Sequence, residues 1–391
     1  MPTLINKVHL LKISQKKTHQ ISSTSTMRIH SFIFFLLTLS QISFAGTLSI
    51  NGQMMDKKLN GQKVFIKERI NKEWIDIDET TISNNKFSFQ EKVNGAKIAY
   101  LIYTNHEGSK IKQAFVLEPG KLNILVSSDG SINFSGTTQN DLLQPYQSEI
   151  AAFNKKAELY YKSATKDSAL SYNDMLRRSK QDEEINAEEL SIHKKYANEL
   201  INTAAGSYIF ANSYYLMSTE EKLEILNKMN AQQLELKQIK VIRANVEIEK
   251  KVAPGNQFID FTLNNTDNIP VSLSQYIGKT NYLLVEFWAS WCPDCMRFLP
   301  QLSAFYAKHH GKMLEVVGVS LDENKQAWVS AIQRKSIPWV NISDLKGWKS
   351  EAAQKYAVSS IPCTFLIDST GKIIFKNPGL HQLEEIISKG E

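Results

Sequence analysis

Hydrophobic periodicity divides the chain into three stretches. From residue 46 to about 140, short alternating runs such as Lys63-Val64-Phe65-Ile66-Lys67 and Lys86-Phe87-Ser88-Phe89 put apolar side chains on one face, which predicts β-strands. Turn signals at Asn94-Gly95, Pro119-Gly120 and Asp129-Gly130 separate them. Glu118-Pro119-Gly120 fits a type II turn, with proline fixing φ and glycine supplying a positive φ. Short strands at this spacing predict a small antiparallel sandwich, and nothing in it looks catalytic.

Between about 141 and 250 the period changes. Pro145 and Gly206 are the only proline and glycine there. Ile150, Phe153, Ala157 and Tyr160 recur at helical spacing, as do Ile192, Tyr196 and Leu200. Ser218 and Glu221 form a capping-box pattern ahead of Leu223 and Leu226. Several amphipathic helices follow, with the aromatic cluster Tyr208, Phe210, Tyr214 and Tyr215 read as core.

Ala253-Pro254-Gly255 marks the next change. Strand and helix patterns then alternate, as in an α/β domain. Tyr282 to Trp288 is a nearly unbroken apolar run, the pattern of a strand buried on both faces. Leu314 to Val319 is a second. Thr364–Ile367 and Ile373–Phe375 flank a hairpin-like turn at Ser369-Thr370-Gly371.

The first 45 residues fit none of these periods. Lys7, Lys12, Lys16 and Lys17 precede Met27-Arg28, an apolar run from Phe32 to Leu39, and Ser43-Phe44-Ala45. A charged start, a short apolar core and small residues before a cleavage point describe a secretory signal peptide over residues 1–45. Met1 or Met27 can serve as the start. The run is shorter than the ~20 residues of a spanning helix. Position 46 is Gly, so no lipid-anchored cysteine is indicated.

Composition changes this picture little. The 391 residues are 42% hydrophobic and 22% charged, with a net charge of +6, and lysines and glutamates intermingle. No nucleic-acid surface is indicated. Length predicts two or three units: a β-sandwich (46–140), a helical segment (141–250) and a C-terminal α/β domain (251–391).

The three cysteines are Cys292, Cys295 and Cys363. In an exported protein an isolated Cys-x-x-Cys is a redox or disulfide element. A helix starting at Cys292 places Pro293 at its first position, where the missing N–H costs nothing. Backbone N–H groups and the positive helix end then stabilise a thiolate at Cys292. Cys292 is the expected exposed nucleophile and Cys295 the buried resolving thiol. Zinc and an inert structural disulfide stay open as minor alternatives. Zinc lacks further ligands at useful spacing, His309-His310 included, and haem attachment lacks the histidine, since residue 296 is Met.

The segment Val285-Glu286-Phe287-Trp288-Ala289-Ser290-Trp291-Cys292-Pro293-Asp294-Cys295 closely resembles the active-site segment of the thioredoxin superfamily. Ile361-Pro362-Cys363-Thr364-Phe365-Leu366-Ile367-Asp368 resembles its second landmark, the cis-proline loop and following strand. Secreted TlpA/ResA-like thiol–disulfide oxidoreductases are the most similar group, over about residues 252–391. The earlier regions resemble the β-sandwich of unknown function and helical linker that precede this domain in envelope proteins.

The resemblance implies an α/β thioredoxin-like C-terminal domain preceded by an all-β sandwich and a helical middle segment. It implies a redox pair at Cys292 and Cys295, a cis peptide bond at Pro362, a buried acid at Glu286 beneath the pair, and Trp288 and Trp291 framing it. Trp291, Ile361 and Pro362 are the expected substrate contacts. Two positions depart from the pattern: Phe298 where an acid is frequent, and Cys363 where Thr, Ala or Ser is usual. Ala289 replaces the threonine of the peroxiredoxin pattern, which leaves thiol peroxidase activity a minor alternative.

The implied reaction is thiol–disulfide exchange on protein disulfides, periplasmic or otherwise extracytoplasmic, without metal or organic cofactor. No nucleotide-binding motif is present, so electrons are expected from an envelope thiol protein. A redox-responsive binding module without turnover is the non-enzymatic alternative. No membrane-spanning segment is expected after signal cleavage.

Overall fold

A computed structural model describes residues 45–389 except 71–72 and 165–169. The expected signal peptide, apart from Ala45, lies outside the described residues.

Eight strands come first: β1 (Ala45–Met54), β2 (Lys63–Ile70), β3 (Glu73–Thr81), β4 (Lys86–Asn94), β5 (Lys97–Thr104), β6 (Lys110–Leu117), β7 (Gly120–Val126) and β8 (Ile132–Ser135). They form two four-stranded sheets, ordered β4-β1-β7-β8 and β3-β2-β5-β6. The period-2 pattern buries Leu48, Ile50 and Phe89 from the first sheet against Val64, Ile66 and Phe115 from the second. Phe115 and Phe134 stack at 5.5 Å.

One expectation needs correction. The sandwich is not wholly antiparallel, because β1 pairs parallel to β7. Glu118-Pro119-Gly120 supplies the expected positive φ at its glycine, without joining neighbouring strands. It carries the chain from β6 in one sheet to β7 in the other, and Gly120, at φ +139°, is already the first residue of β7.

Six helices follow: α1 (Thr138–Ala164), α2 (Tyr172–Glu199), α3 (Ala204–Ser213), α4 (Thr219–Lys228), α5 (Ala231–Leu234) and α6 (Lys237–Glu249). Both halves of the capping box at Ser218 and Glu221 form. Buried Glu118 accepts the Gln139 N–H at 2.6 Å, and Asn140 exchanges two hydrogen bonds with Val116 of β6, which fixes the start of α1 on the sandwich. Ile192, Tyr196, Leu200 and Phe210 are core as expected. Tyr215, read as core, is about half exposed. It follows the end of α3 in a short 3₁₀ turn, where the helical period no longer holds its ring inward.

The last part contains β9 (Thr262–Asn265), β10 (Pro270–Ser272), β11 (Tyr282–Trp288), α7 (Pro293–His309), β12 (Leu314–Ser320), α8 (Lys325–Lys335), β13 (Val340–Ser343), α9 (Glu351–Lys355), β14 (Cys363–Asp368), β15 (Ile373–Lys376) and α10 (Leu380–Ser388). The sheet order is β10-β9-β13-β12-β11-β14-β15. The interior strand β11 runs parallel to β12 and antiparallel to β14. Residues Leu283 to Trp288 are all buried, which explains the continuous apolar run.

The helical segment grips this last part at two places. Tyr172 of α2 stacks on Phe305, and its hydroxyl meets His309 of α7 and Glu384 of α10. Lys222 of α4 and Glu249 of α6 form a buried ion pair, with Lys376 of β15 at 3.6 Å from Glu249. Among the described residues no helix is long and apolar enough to cross a membrane.

Candidate functional site

Strand β11 delivers the chain to the carboxyl edge of the sheet, where Cys292 caps α7 in an extended conformation and Pro293 takes the first helical turn. Cys292 and Cys295 are joined in a disulfide with their Cα atoms 5.3 Å apart. The spacing follows from helix geometry, since three residues along is one turn. The Cys295 N–H points at the Cys292 sulfur, 3.0 Å away. On reduction that donor and the helix N-terminus favour a thiolate at Cys292.

Cys295 is fully buried and Cys292 is only 4% exposed. The expectation of an exposed Cys292 is therefore corrected for the oxidised state. Its sulfur sits 3.6 Å from the Ile361 carbonyl oxygen, across from the loop of residues 361–362. The Ile361-Pro362 peptide bond is cis, and Ile361 and Pro362 are both partly exposed. Trp291 stands half exposed beside the pair. Trp288 is fully buried, its indole N–H donating to Asn341 Oδ1 at 2.9 Å. Gly318 permits that bond, because a Cβ there would collide with the Asn341 amide.

Glu286 is fully buried in the middle of β11, opposite Gly318 on β12 and Thr364 on β14. Its strand neighbours Val285 and Phe287 belong to the same hydrophobic cluster as Cys292 and Cys295. Neither carboxyl oxygen has a hydrogen-bond partner among the described residues. Desolvation pushes its pKa up to about 8. Such an acid is mostly neutral near pH 7 and can donate a proton there, while its ionised fraction can accept one.

Asp294, one residue into α7, is exposed and pairs with Arg297 one turn on. Its charge near the helix start is thus partly offset. Phe298 is partly buried and packs against the core. Cys363 is a free, buried thiol lying opposite Phe287. Burial pushes its pKa up to about 11, and the Lys376, Glu249 and Lys222 charges act on it from beyond β14.

Two residues at the site went unread in the sequence. Asp322, buried just after β12, accepts both the Ser290 backbone N–H and the Ser290 hydroxyl. Trp348 meets the Trp291 ring at 6.1 Å. A polar residue ending a central strand is the one signal that pointed to Asp322, since open α/β sheets place their sites at strand carboxyl ends. No such signal marked Trp348.

Comparison with known proteins agrees with this geometry. The AhpC/TSA family profile matches residues 254–376, and a domain of unknown function (DUF4369) matches residues 48–143. Tryparedoxin of Trypanosoma brucei brucei is 41% identical over 107 residues, 27% of this chain and 72% of that protein. The thiol-disulfide oxidoreductase ResA of Geobacillus thermodenitrificans is 30% identical over 133 residues, 34% of this chain and 74% of that protein. A solved thiol-disulfide oxidoreductase from Bacteroides fragilis is 30% identical, with a TM-score of 0.31, covering 35% of this chain and all of that one. Through its thioredoxin-like C-terminal part, the chain belongs to the ResA-type thiol–disulfide oxidoreductases and is an enzyme of that class.

Proposed function

We propose that this enzyme reduces or exchanges disulfides of proteins outside the cytoplasm. The observation that carries the proposal is the Cys292 sulfur, held at a helix N-terminus by the Cys295 N–H and facing the loop of Ile361 and Pro362. The Cys292 thiolate attacks one sulfur of a substrate disulfide. A Cys292–substrate disulfide forms, and the other substrate sulfur leaves as a thiolate and takes up a proton. Cys295, once deprotonated, attacks the Cys292 sulfur. The substrate leaves fully reduced, and the Cys292–Cys295 disulfide seen here remains. An external dithiol protein of the same compartment then supplies two electrons and two protons to reopen it.

Glu286, in its ionised form, takes the Cys295 proton in this scheme, and Trp291, Ile361 and Pro362 receive the substrate. The sandwich and helical segment, over 46–140 and 141–250, act as a mount for the redox part, 251–391. Location outside the cytoplasm rests on the signal-peptide pattern of residues 1–45. The reducing direction is supported by Asp294, a carboxylate near the Cys292 thiolate, although Arg297 weakens its effect.

The test is trapping. A Cys295→Ser variant expressed with its leader should accumulate mixed disulfides with envelope proteins, visible as thiol-sensitive bands. A Cys292→Ser variant should give none. Equal trapping by both variants, or none by either, would reject the assignment.

A further inference from the structure

We propose that Trp348 is a specificity-determining residue, which makes the enzyme favour polypeptide disulfides carrying an aromatic side chain next to the attacked cysteine. This rests on the reading that Cys292 is the exchanging sulfur.

Two large exposed aromatic side chains meet, one of them directly before Cys292 in the chain. Trp291, adjacent to Cys292, is 51% exposed and Trp348 is 47% exposed. Their ring centroids are 6.1 Å apart and the planes tilt by 53°, so the pair forms an open angle instead of a closed stack. Such an arrangement leaves ring faces and edges for a third ring. Elsewhere in this part of the chain the tryptophans are buried: Trp288, Trp328 and Trp339 are each at most 5% exposed.

The loop under Trp348 is held firmly. Leu345 and Gly347 both adopt left-handed conformations, at φ +55° and +56°. Gly347 is fitted against the Glu323 side chain, where a Cβ would collide with the carboxylate. The Ser343 hydroxyl receives the Leu345 N–H and donates to the Ser320 carbonyl. Asp344 receives the N–H groups of Lys346 and Glu351. The 3₁₀ turn Gly347–Lys349 closes through a bond from Ser350 N–H to the Gly347 carbonyl. A backbone strained at Leu345 and tied at this many points fixes where Trp348 leaves the chain.

A rigid tryptophan pays little ordering entropy on contact and is over-represented among residues that dominate interfaces. Its position beside Trp291 puts it against the residue flanking a substrate cysteine, because the attacked sulfur must reach Cys292. An aromatic neighbour fills the angle between the two rings; a small polar neighbour does not. A disulfide without peptide flanks cannot use the contact.

The experiment uses two synthetic peptides, each with one internal disulfide, identical except for Phe or Ser next to the reactive cysteine. Dithiothreitol recycles the enzyme. The wild-type chain should favour the Phe peptide in kcat/KM, with the difference lying mainly in KM. Trp348→Ala should reduce that preference roughly tenfold, the scale of a dominant interface side chain. Trp348→Phe should restore most of it. No preference in the wild type, or a preference that survives Trp348→Ala, overturns the inference. Failure of the wild type to reduce either peptide would instead reject the redox reading on which it stands.

Discussion

Asp322 holds Ser290 by two hydrogen bonds, 3.0 Å to its backbone N–H and 2.5 Å to its hydroxyl. Ser290 lies two residues before Cys292, so the buried carboxylate fastens the turn that presents the nucleophile. Asp322 also accepts the Ser320 hydroxyl, and its own N–H returns a bond to Ser320. Removing the carboxylate leaves several donors without an acceptor. Asp322→Ala should cost roughly 2–4 kcal/mol, given ~1–3 kcal/mol for each buried group left unsatisfied. It should also slow attack by Cys292. Asp322→Asn, which keeps an acceptor, should recover part of both. Denaturant unfolding and stopped-flow kinetics measure the two effects, and an Ala variant as stable as wild type would refute the clamp.

Cys363 should behave as a bystander thiol. Its pKa, raised from 9.0 to about 11 by burial, lowers the thiolate fraction at about pH 8 roughly a hundredfold. Alkylation of the native oxidised protein should therefore leave it unlabelled, and denaturant should expose one reactive thiol. Mass mapping of that sample should place the bridge at Cys292 and Cys295. A bridge from Cys363 to either of them would contradict this.

Much of this architecture was legible because the signals were local. The apolar run Tyr282–Trp288 reads as an interior strand since β12 and β14 cover both of its edges and layers cover both faces. Ser218 and Glu221 satisfy each other within one helical turn, so their pattern carries its own meaning. Pro293 at the start of α7 follows from backbone geometry alone. What escaped depends on partners far apart in the chain. The parallel pairing of β1 with β7 joins Leu48 to Gly120, and no local pattern encodes it. Glu118-Pro119-Gly120 looks like a turn, yet the two strands beside it belong to different sheets. The Trp291–Trp348 and Ser290–Asp322 contacts likewise span dozens of residues. Glu286, by contrast, announced itself as a lone charge in an apolar strand, and its full burial follows from that strand's place in the sheet.

Lys222 and Glu249 should fasten the helical segment to the redox part. Both are almost fully buried, their charges meet at 2.7 Å, and Lys376 of β15 lies beyond Glu249. Desolvation lowers the Lys222 pKa, and the Glu249 charge opposes that shift. Breaking such a pair from one side leaves a buried charge and typically costs ~3–5 kcal/mol. Lys222→Met should approach the lower end, because Lys376 still faces Glu249. Replacing both partners, as Lys222→Met with Glu249→Leu, should recover most of the loss. Urea denaturation of the single and double variants decides it: a single variant within ~0.5 kcal/mol of wild type, the scale of an ordinary surface substitution, would show the pair to be idle.

Glu286 makes two linked predictions. The first concerns stability. Desolvation raises its folded-state pKa to about 8, from 4.5 for an exposed glutamate. Below about pH 4.5 the carboxyl is protonated in both folded and unfolded chains, so it imposes no ionic penalty. As pH rises, the unfolded chain releases the proton while the folded one keeps it. Each pH unit in that window then costs folding up to ~1.4 kcal/mol, and the loss is complete once pH passes the folded pKa. Glu286→Gln cannot titrate. Relative to the Gln variant, the wild type should therefore lose roughly 3–4 kcal/mol between about pH 5 and about pH 8, measured by urea unfolding of the oxidised proteins. Parallel pH curves for the two proteins would mean that Glu286 is solvated or paired in solution. The second concerns the reaction. The amide keeps the shape of the side chain but cannot take a proton from Cys295. Attack by Cys292 on a substrate disulfide should survive the change, because that thiolate is stabilised by the helix N-terminus and the Cys295 N–H. Release of the mixed disulfide should slow, and most strongly below about pH 8, where the Cys295 thiol needs an acceptor. Single-turnover kinetics across pH separate the two steps; unchanged release in the Gln variant would leave Glu286 without a part in the chemistry.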